Sequence, residues 1–404
     1  MLSRFYKYAI YFQIGLTLFA CQSSTSQKIE NTVTPVITKK IVNDTLKNDT
    51  TYSHISDFIS GIKQKSVNDL SEYEKWSEWI NYSREFDTNW AQLERERLIK
   101  MRTWRNVSIQ EGQLKHKNIF YPFSGPDFLN AFTFFSDGEN YYLIGLERVG
   151  SFPDVKKFKH SFLKNFFDEM IASLGDLFRK GYFITRKMDK YLNNQMDGTL
   201  PILSVFLTRT SHRIVNVNYL QIDSLGKISD FIPEDSTRNN PKKKRPRAIK
   251  IDFVACDTCQ IKSLYYFSMD LSDAQLKNNK GILKFLSKND SLTTYMKSAS
   301  YLLHNRNFSF IRDFILTHSF RLLQDDSGIP YKYFSDTTWN IKLFGKYTEP
   351  IDDFKNYFEK DLSSAYTRDT TTRPLPFSLG YKWGTRGVNL LYAKKKNYQV
   401  HREK

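Results

Sequence analysis

An apolar run of 13 residues, Tyr8 to Ala20, is broken only by Gln13 and ends at Cys21. A helix needs about 20 apolar residues to cross roughly 30 Å of hydrocarbon, so this run is too short to span a bilayer. Arg4 and Lys7 precede it and the small Ala20 closes it, the pattern of a secretory signal with its charged start, short apolar stretch and cut site. Residues 1–20 are therefore expected to take no part in the fold. Residues 22–51, QSSTSQKIENTVTPVITKKIVNDTLKNDTT, contain no aromatic side chain and are rich in Ser, Thr, Asn and Lys. Such a segment cannot bury enough apolar surface to offset ordering, and 21–51 reads as a flexible tether.

Leu18-Phe19-Ala20-Cys21 resembles the lipobox of bacterial lipoproteins. The resemblance implies diacylglyceryl transfer to the Cys21 thiol, cleavage after Ala20 and acylation of the new amino terminus. The lipid bilayer is then the first expected partner, since several acyl chains at about 0.8 kcal/mol per buried CH₂ hold a protein stably. By the sorting rule of enteric bacteria, Gln22 is not the inner-membrane retention residue, which points to the outer membrane. The alternatives are an ordinary signal peptide or an uncleaved anchor, with Cys21 incidental.

The chain as a whole is 40% hydrophobic and 15% aromatic, enough for a large core without staples. The formal charge of +17 falls to +15 once Arg4 and Lys7 leave. It favours an anionic envelope polymer or lipid headgroups as further partners, although scattered charges also arise from plain residue bias. Nucleic acid is disfavoured by export. The one dense basic run, Pro241-Lys-Lys-Lys-Arg-Pro-Arg247, follows Asn239-Asn240 between two strand-like segments and reads as a solvated loop. With Cys21 acylated, only Cys256 and Cys259 remain, flanking a turn between Ile249–Val254 and Ile261–Phe267. A local disulfide is expected there in an oxidising compartment, with free thiols and a redox dithiol as alternatives. A lone CxxC makes no four-ligand zinc site, and neither metal nor cofactor is expected.

Four domains are expected: 1–20 signal, 21–51 lipidated tether, 52–108 helical segment and 109–404 globular body. In 52–108, Trp76, Trp79, Ser83, Phe86, Trp90 and Leu93 recur in steps of three and four, a helical stripe. Its tryptophans read as a packing face in preference to a sugar platform. In the body, Asn118–Phe123 and Tyr141–Leu146 read as strands, and Asp127 caps a helix from Phe128 to Phe135. Val155–Arg179 and Thr294–Gln324 read as two long helices. Arg213–Ile222 opens a hairpin, and Phe377–Trp383 and Val388–Ala393 form another through Gly384–Gly387. With no regular βαβα alternation, the expected class is α+β, mixed helices with antiparallel strands in one large domain.

No GxSxG, HExxH, Walker or GxGxxG pattern is present, and the seven histidines show no ligand spacing. The candidate catalytic residues are Asp127, Glu147, His304 and Asp325. Lys297, Ser300 and His304, at i, i+3 and i+7, would share a helical face and supply an activated nucleophile. Asp325-Asp326 reads as a turn or a cation site. Glu147, directly after an apolar strand, either pairs with Arg148 or another cation or lines a cleft.

Six stretches, FYPFSGPDF, GLERVG, DGTLPILSVFL, KSASYLLH, QDDSGIPYKYF and LPFSLGYKWG, resemble a set of uncharacterised exported bacterial proteins across roughly residues 119–393. The resemblance implies one integrated domain and brings no activity. Two functions follow from the sequence: a non-enzymatic envelope binding or scaffold module, and, as the alternative, an extracytoplasmic hydrolase assembled from dispersed polar groups.

Overall fold

The computed structural model describes residues 51–396, apart from 66, 110–116, 185–189, 193, 233–244, 256–259, 290 and 384–386. All of them belong to one unit, 46–404. Helix α1 (Thr51–Ile59) is followed by α2 (Ser77–Leu93), which runs through one wide turn, Glu94–Leu98, into α3 (Ile99–Ser108). Strand β1 (Asn118–Tyr121), helix α4 (Phe128–Phe134) and the parallel strand β2 (Asn140–Gly145) form a βαβ unit, and α5 (His160–Lys180) and α6 (Leu200–Arg209) come next. Strands β3 (His212–Ile222), β4 (Ile228–Asp230), β5 (Ala248–Ala255) and β6 (Ile261–Ser268) are successive antiparallel neighbours or hairpins. Then come α7 (Asp273–Asn278), α8 (Gly281–Ser287), β7 (Leu292–Met296), α9 (Ser309–His318), β8 (Ser319–Gln324), β9 (Trp339–Gly345), α10 (Lys360–Arg368) and β10 (Asn389–Lys395).

The ten strands make one mixed sheet in the order β4-β3-β5-β6-β2-β1-β7-β8-β10-β9. The α+β class expected from the sequence is what the structure has. Its hairpins occupy the two flanks, and the five middle strands β6-β2-β1-β7-β8 run parallel. Parallel strands are buried on both faces, and β2 (NYYLIG) and β7 (LTTYM) accordingly read as nearly unbroken buried runs.

Side-chain alternation divides the core into two layers. Ile119, Tyr121, Tyr141, Leu143 and Tyr295 point to one face and pack beneath α1 to α6. Phe120, Tyr142, Ile144, Leu292 and Met296 point to the other, beneath α7 to α10. The stripe on α2 is a packing face: Trp79 and Phe86 are buried, and Trp76, Trp90 and Trp104 lean on the same layer. Residues 51–108 thus share a core with the sheet. Arg97, in the wide turn, donates to the carbonyls of Leu177 and Arg179 at 2.9 Å each. This satisfies the end of α5, where Gly181 takes the left-handed conformation (φ 82°) that closes a helix.

Two expectations are corrected. Thr294–Gln324 is not one helix: it contains the end of β7, a loop, α9 and β8. Its apolar spacing mixes strand and helix periods, and short apolar runs do not distinguish the two. Phe377–Trp383 is not a strand: it holds a single tight turn, Gly380–Lys382, and β10 pairs with β8 and β9. Cys21, Cys256, Cys259 and residues 241–244 of the basic run lie outside the described residues. Among the described residues no helix is long and apolar enough to cross a membrane.

Candidate functional site

The carboxyl ends of the five parallel strands release their loops to one rim of the sheet. From β1 the chain leaves through Phe123 (φ 58°) and Gly125 (φ 53°) into α4 on the first face. From β7 it leaves through Ser298, Ser300 and Tyr301, all between φ 51° and 53°, towards α9 on the second face. Neighbouring parallel strands whose connections depart to opposite faces open a crevice between them, the usual place for a ligand in such sheets. Left-handed backbone at three non-glycine residues within four positions is strained, and such strain gathers at functional loops.

A cavity of about 610 Å³ occupies this crevice. Phe123, Tyr182, Phe308, Phe354 and Tyr381 give it aromatic walls, and Glu147, Asp270, Asp353 and Lys297 are its charged lining. Lys297 is buried and its ammonium lies 2.7 Å from Asp127. Asp127 also accepts from the Asn130 backbone N–H at 3.1 Å, from the Asn130 side chain at 2.9 Å and from the Tyr121 hydroxyl at 3.1 Å. It is the cap of α4 as well as the counter-ion of Lys297.

Glu147 is 2% exposed. Arg148 turns away from it to pair with Asp197 at 2.9 Å, so Glu147 lines the cleft and the pairing with Arg148 is corrected. Its carboxylate rests on the bare Cα faces of Gly125 and Gly145. A Cβ added at Gly145 would lie 2.5 Å from Oε2, so only glycine leaves room for the acid there. Tyr266 donates to the Glu147 carbonyl at 2.8 Å and reaches Oε2 at 3.3 Å; Oε1 accepts nothing from the described residues.

Beside the cavity, Asp325 accepts from the Ser298 N–H at 2.9 Å and from the Ser327 N–H at 3.0 Å, pinning the strained β7 loop to the β8 loop. Asp326 accepts from the Tyr301 hydroxyl at 2.5 Å and the Asn389 amide at 2.8 Å. Burial pushes both carboxyls up, and the charge of Asp326 adds to the rise at Asp325. These adjacent acids follow a strand, and no helix ends there. Among the described residues no group of three or more His, Cys, Asp or Glu side chains is arranged to hold a metal.

Of the four candidate catalytic residues only Glu147 lines the cavity; Asp127 and Asp325 lie behind it, bonded to the lining residues Lys297 and Ser298, and His304 is not in the lining. His304 packs against Tyr301 and Tyr357 with Nε2 3.8 Å from Glu359. Burial pushes the His304 ring down to about 4 and the Glu359 carboxyl up to about 8, so near pH 6 the two meet as neutral groups. Lys297, Ser300 and His304 share no helical face, because the left-handed residues between them redirect the chain. Ser300 bonds the Tyr381 hydroxyl at 2.9 Å instead. The Ser298 hydroxyl is covered and faces Gly380, where a Cβ would sit 2.6 Å from it.

Sequence reasoning missed the pairing of Lys297 with Asp127 and the roles of Tyr301, Tyr381 and Glu359. One signal was present: Lys297 and Asp325 each follow a buried strand directly, and Glu147 follows one after a single residue. No family model, curated protein or solved structure matches this chain.

Proposed function

We propose that this protein is a lipid-anchored envelope protein whose folded body binds a small organic ligand in the cavity at the carboxyl end of β1, β2, β6 and β7. The observation that carries the reading is the cavity itself. Its 610 Å³ lies within the roughly 300–1,000 Å³ of small-molecule sites, and its walls are aromatic with a few converging polar groups. The binding reading is preferred to hydrolysis because the candidate groups are committed to the fold. Asp127 is held by its cap and by Lys297, Asp325 holds two loops together, the Ser298 hydroxyl is covered, and His304 stands apart. A general base must reach its proton within hydrogen-bond distance, and no such nucleophile–base pair is formed among the described residues lining the cavity. The 30-residue stretch after Cys21 and the lipobox support the anchor.

Two experiments test the reading. Acyl-chain labelling of the wild type and Cys21→Ala is expected to lose signal in the variant; equal labelling overturns the anchor. Titration with 4-phenylbutanol, followed by aromatic-proton NMR, is expected to perturb the wild type and to be weakened in Leu146→Trp, which fills the mouth at a lining residue 65% exposed. Identical titrations, or no perturbation of either protein by this alcohol or its amine analogue, overturn the site.

A further inference from the structure

The cavity's charge is opposite to that of the chain around it. On a protein of formal charge +17, three of the four charged lining residues among those described are acids: Glu147, Asp270 and Asp353. The one cation among the described lining residues, Lys297, is matched by Asp127 at 2.7 Å. Neither Glu147, Asp270 nor Asp353 has a lysine, arginine or histidine within salt-bridge distance among the described residues, although Asp270 bonds Ser272. Glu147 is the decisive member. A carboxylate only 2% exposed is expected to have a cation or several strong donors; this one has a single hydroxyl at 3.3 Å and a free Oε1 at the cavity wall.

We infer that the cavity takes a ligand carrying an organic cation, an ammonium or guanidinium on an apolar body, and that Glu147 is the residue that receives the charge. This deepens the binding reading above and rests on it. The geometry suits such a ligand in two ways. A positive nitrogen at Glu147 Oε1 would supply the missing partner through a charge-assisted hydrogen bond, the stronger kind. The faces of Phe123, Phe308, Phe354, Tyr182 and Tyr381 offer both apolar contact for the body and attraction for the cation. An anionic ligand, which the overall charge would favour, meets three carboxylates and only a neutralised lysine. The cavity and the outer surface therefore select for opposite signs.

The test compares 4-phenylbutylamine with 4-phenylbutanol, which have the same body and differ in charge, on wild type and Glu147→Gln, with Asp353→Asn as a second variant. Expected is binding of the amine at least tenfold tighter than the alcohol by wild type, with the preference falling to within twofold in Glu147→Gln while alcohol affinity holds. Asp353→Asn, further from the glycine cradle, is expected to keep most of the preference. Equal affinities for amine and alcohol in the wild type overturn the cation inference and leave the cavity reading standing. Binding of neither overturns both. If Glu147→Gln melts at lower temperature, the amine-to-alcohol ratio, read on the folded fraction, still decides. A preference unchanged in that variant assigns the charge elsewhere and sinks the role of Glu147.

Discussion

Asp127, buried, and Glu359, largely covered, are carboxyls placed around the same loop, Lys297–His304, and they are accommodated in opposite ways. Asp127 meets a full cation and three neutral donors: the ammonium of Lys297, the Asn130 amide and backbone, and the Tyr121 hydroxyl. Glu359 accepts from the Tyr331 N–H at 2.6 Å and otherwise faces the neutral ring of His304, so burial leaves it protonated well above the ordinary carboxylate range. A buried acid can be matched or discharged. The difference teaches that the matched acid depends on its partner side chain, whereas the discharged acid depends on pH.

Removing the match has the largest expected effect. Lys297→Met leaves Asp127 buried without its cation and is expected to cost about 3 kcal/mol in urea unfolding. Adding Asp127→Asn to it should recover part of the loss, because asparagine still caps α4. A single variant that unfolds like wild type would show that the pair contributes nothing.

The discharged acid is probed by pH. Glu359 is raised in the fold, so its contribution is complete below its unfolded value of 4.5 and lost as pH rises through about 8. His304 is lowered, so its contribution is complete above 6.5 and lost as pH falls through about 4. The two trends oppose each other between 4.5 and 6.5, and the carboxyl acts alone from 6.5 to 8. At about 1.4 kcal/mol per unit, Glu359→Gln is expected to gain about 2 kcal/mol on wild type across that upper window and nothing below pH 4.5. Parallel stability curves for the two proteins would refute the assignment.

Smaller effects bound the contrast. Ser327 receives the Ala299 N–H at 2.7 Å and donates to Asp325. Ser327→Ala should therefore cost about 1–2 kcal/mol through an unsatisfied buried group, measured by the same unfolding curves. Lys164 and Asp168 form an exposed pair one helical turn apart on α5 at 2.8 Å. Lys164→Ala is expected to leave the urea midpoint unchanged, since solvent and salt already screen such pairs; a shift as large as that of Ser327→Ala would undo the distinction between buried and exposed partners.

Local features of the fold were legible where the chain carries its own period. The α2 stripe, the strands at 118 and 141, the cap at Asp127 and the hairpins of β3 to β6 all follow from short-range pattern. The parallel centre was not legible, because β1 and β7 pair across the length of the molecule and nothing local records which strands become neighbours. The reading of 294–324 as a helix failed for a related reason. The left-handed residues at 298, 300 and 301 are ordinary serine and tyrosine, which carry no mark of backbone that glycine would have shown. Of the site, Asp127, Glu147 and Asp325 could be picked out as acids after apolar runs. Their division into a cap, a free carboxylate and a loop pin depends on Lys297, Gly145 and Ser298, which only the tertiary arrangement brings together.

The placement of β1 has a consequence for the order in which the molecule is assembled. One edge of β1 is bonded to β2, close behind it in the chain, but the other waits for β7, where Asn118 comes to lie opposite Leu292. A chain emerging amino end first therefore displays an unpaired apolar edge, Phe120 and Tyr121 among it, until β7 (Leu292–Met296) follows it. Long loop closure must precede the contacts that reward it, and such topologies form slowly. The cavity, walled by both strands, is among the last features to exist. Until then its floor is an open sheet edge, and a chain halted before β7 has half a pocket and no counter-ion for Asp127.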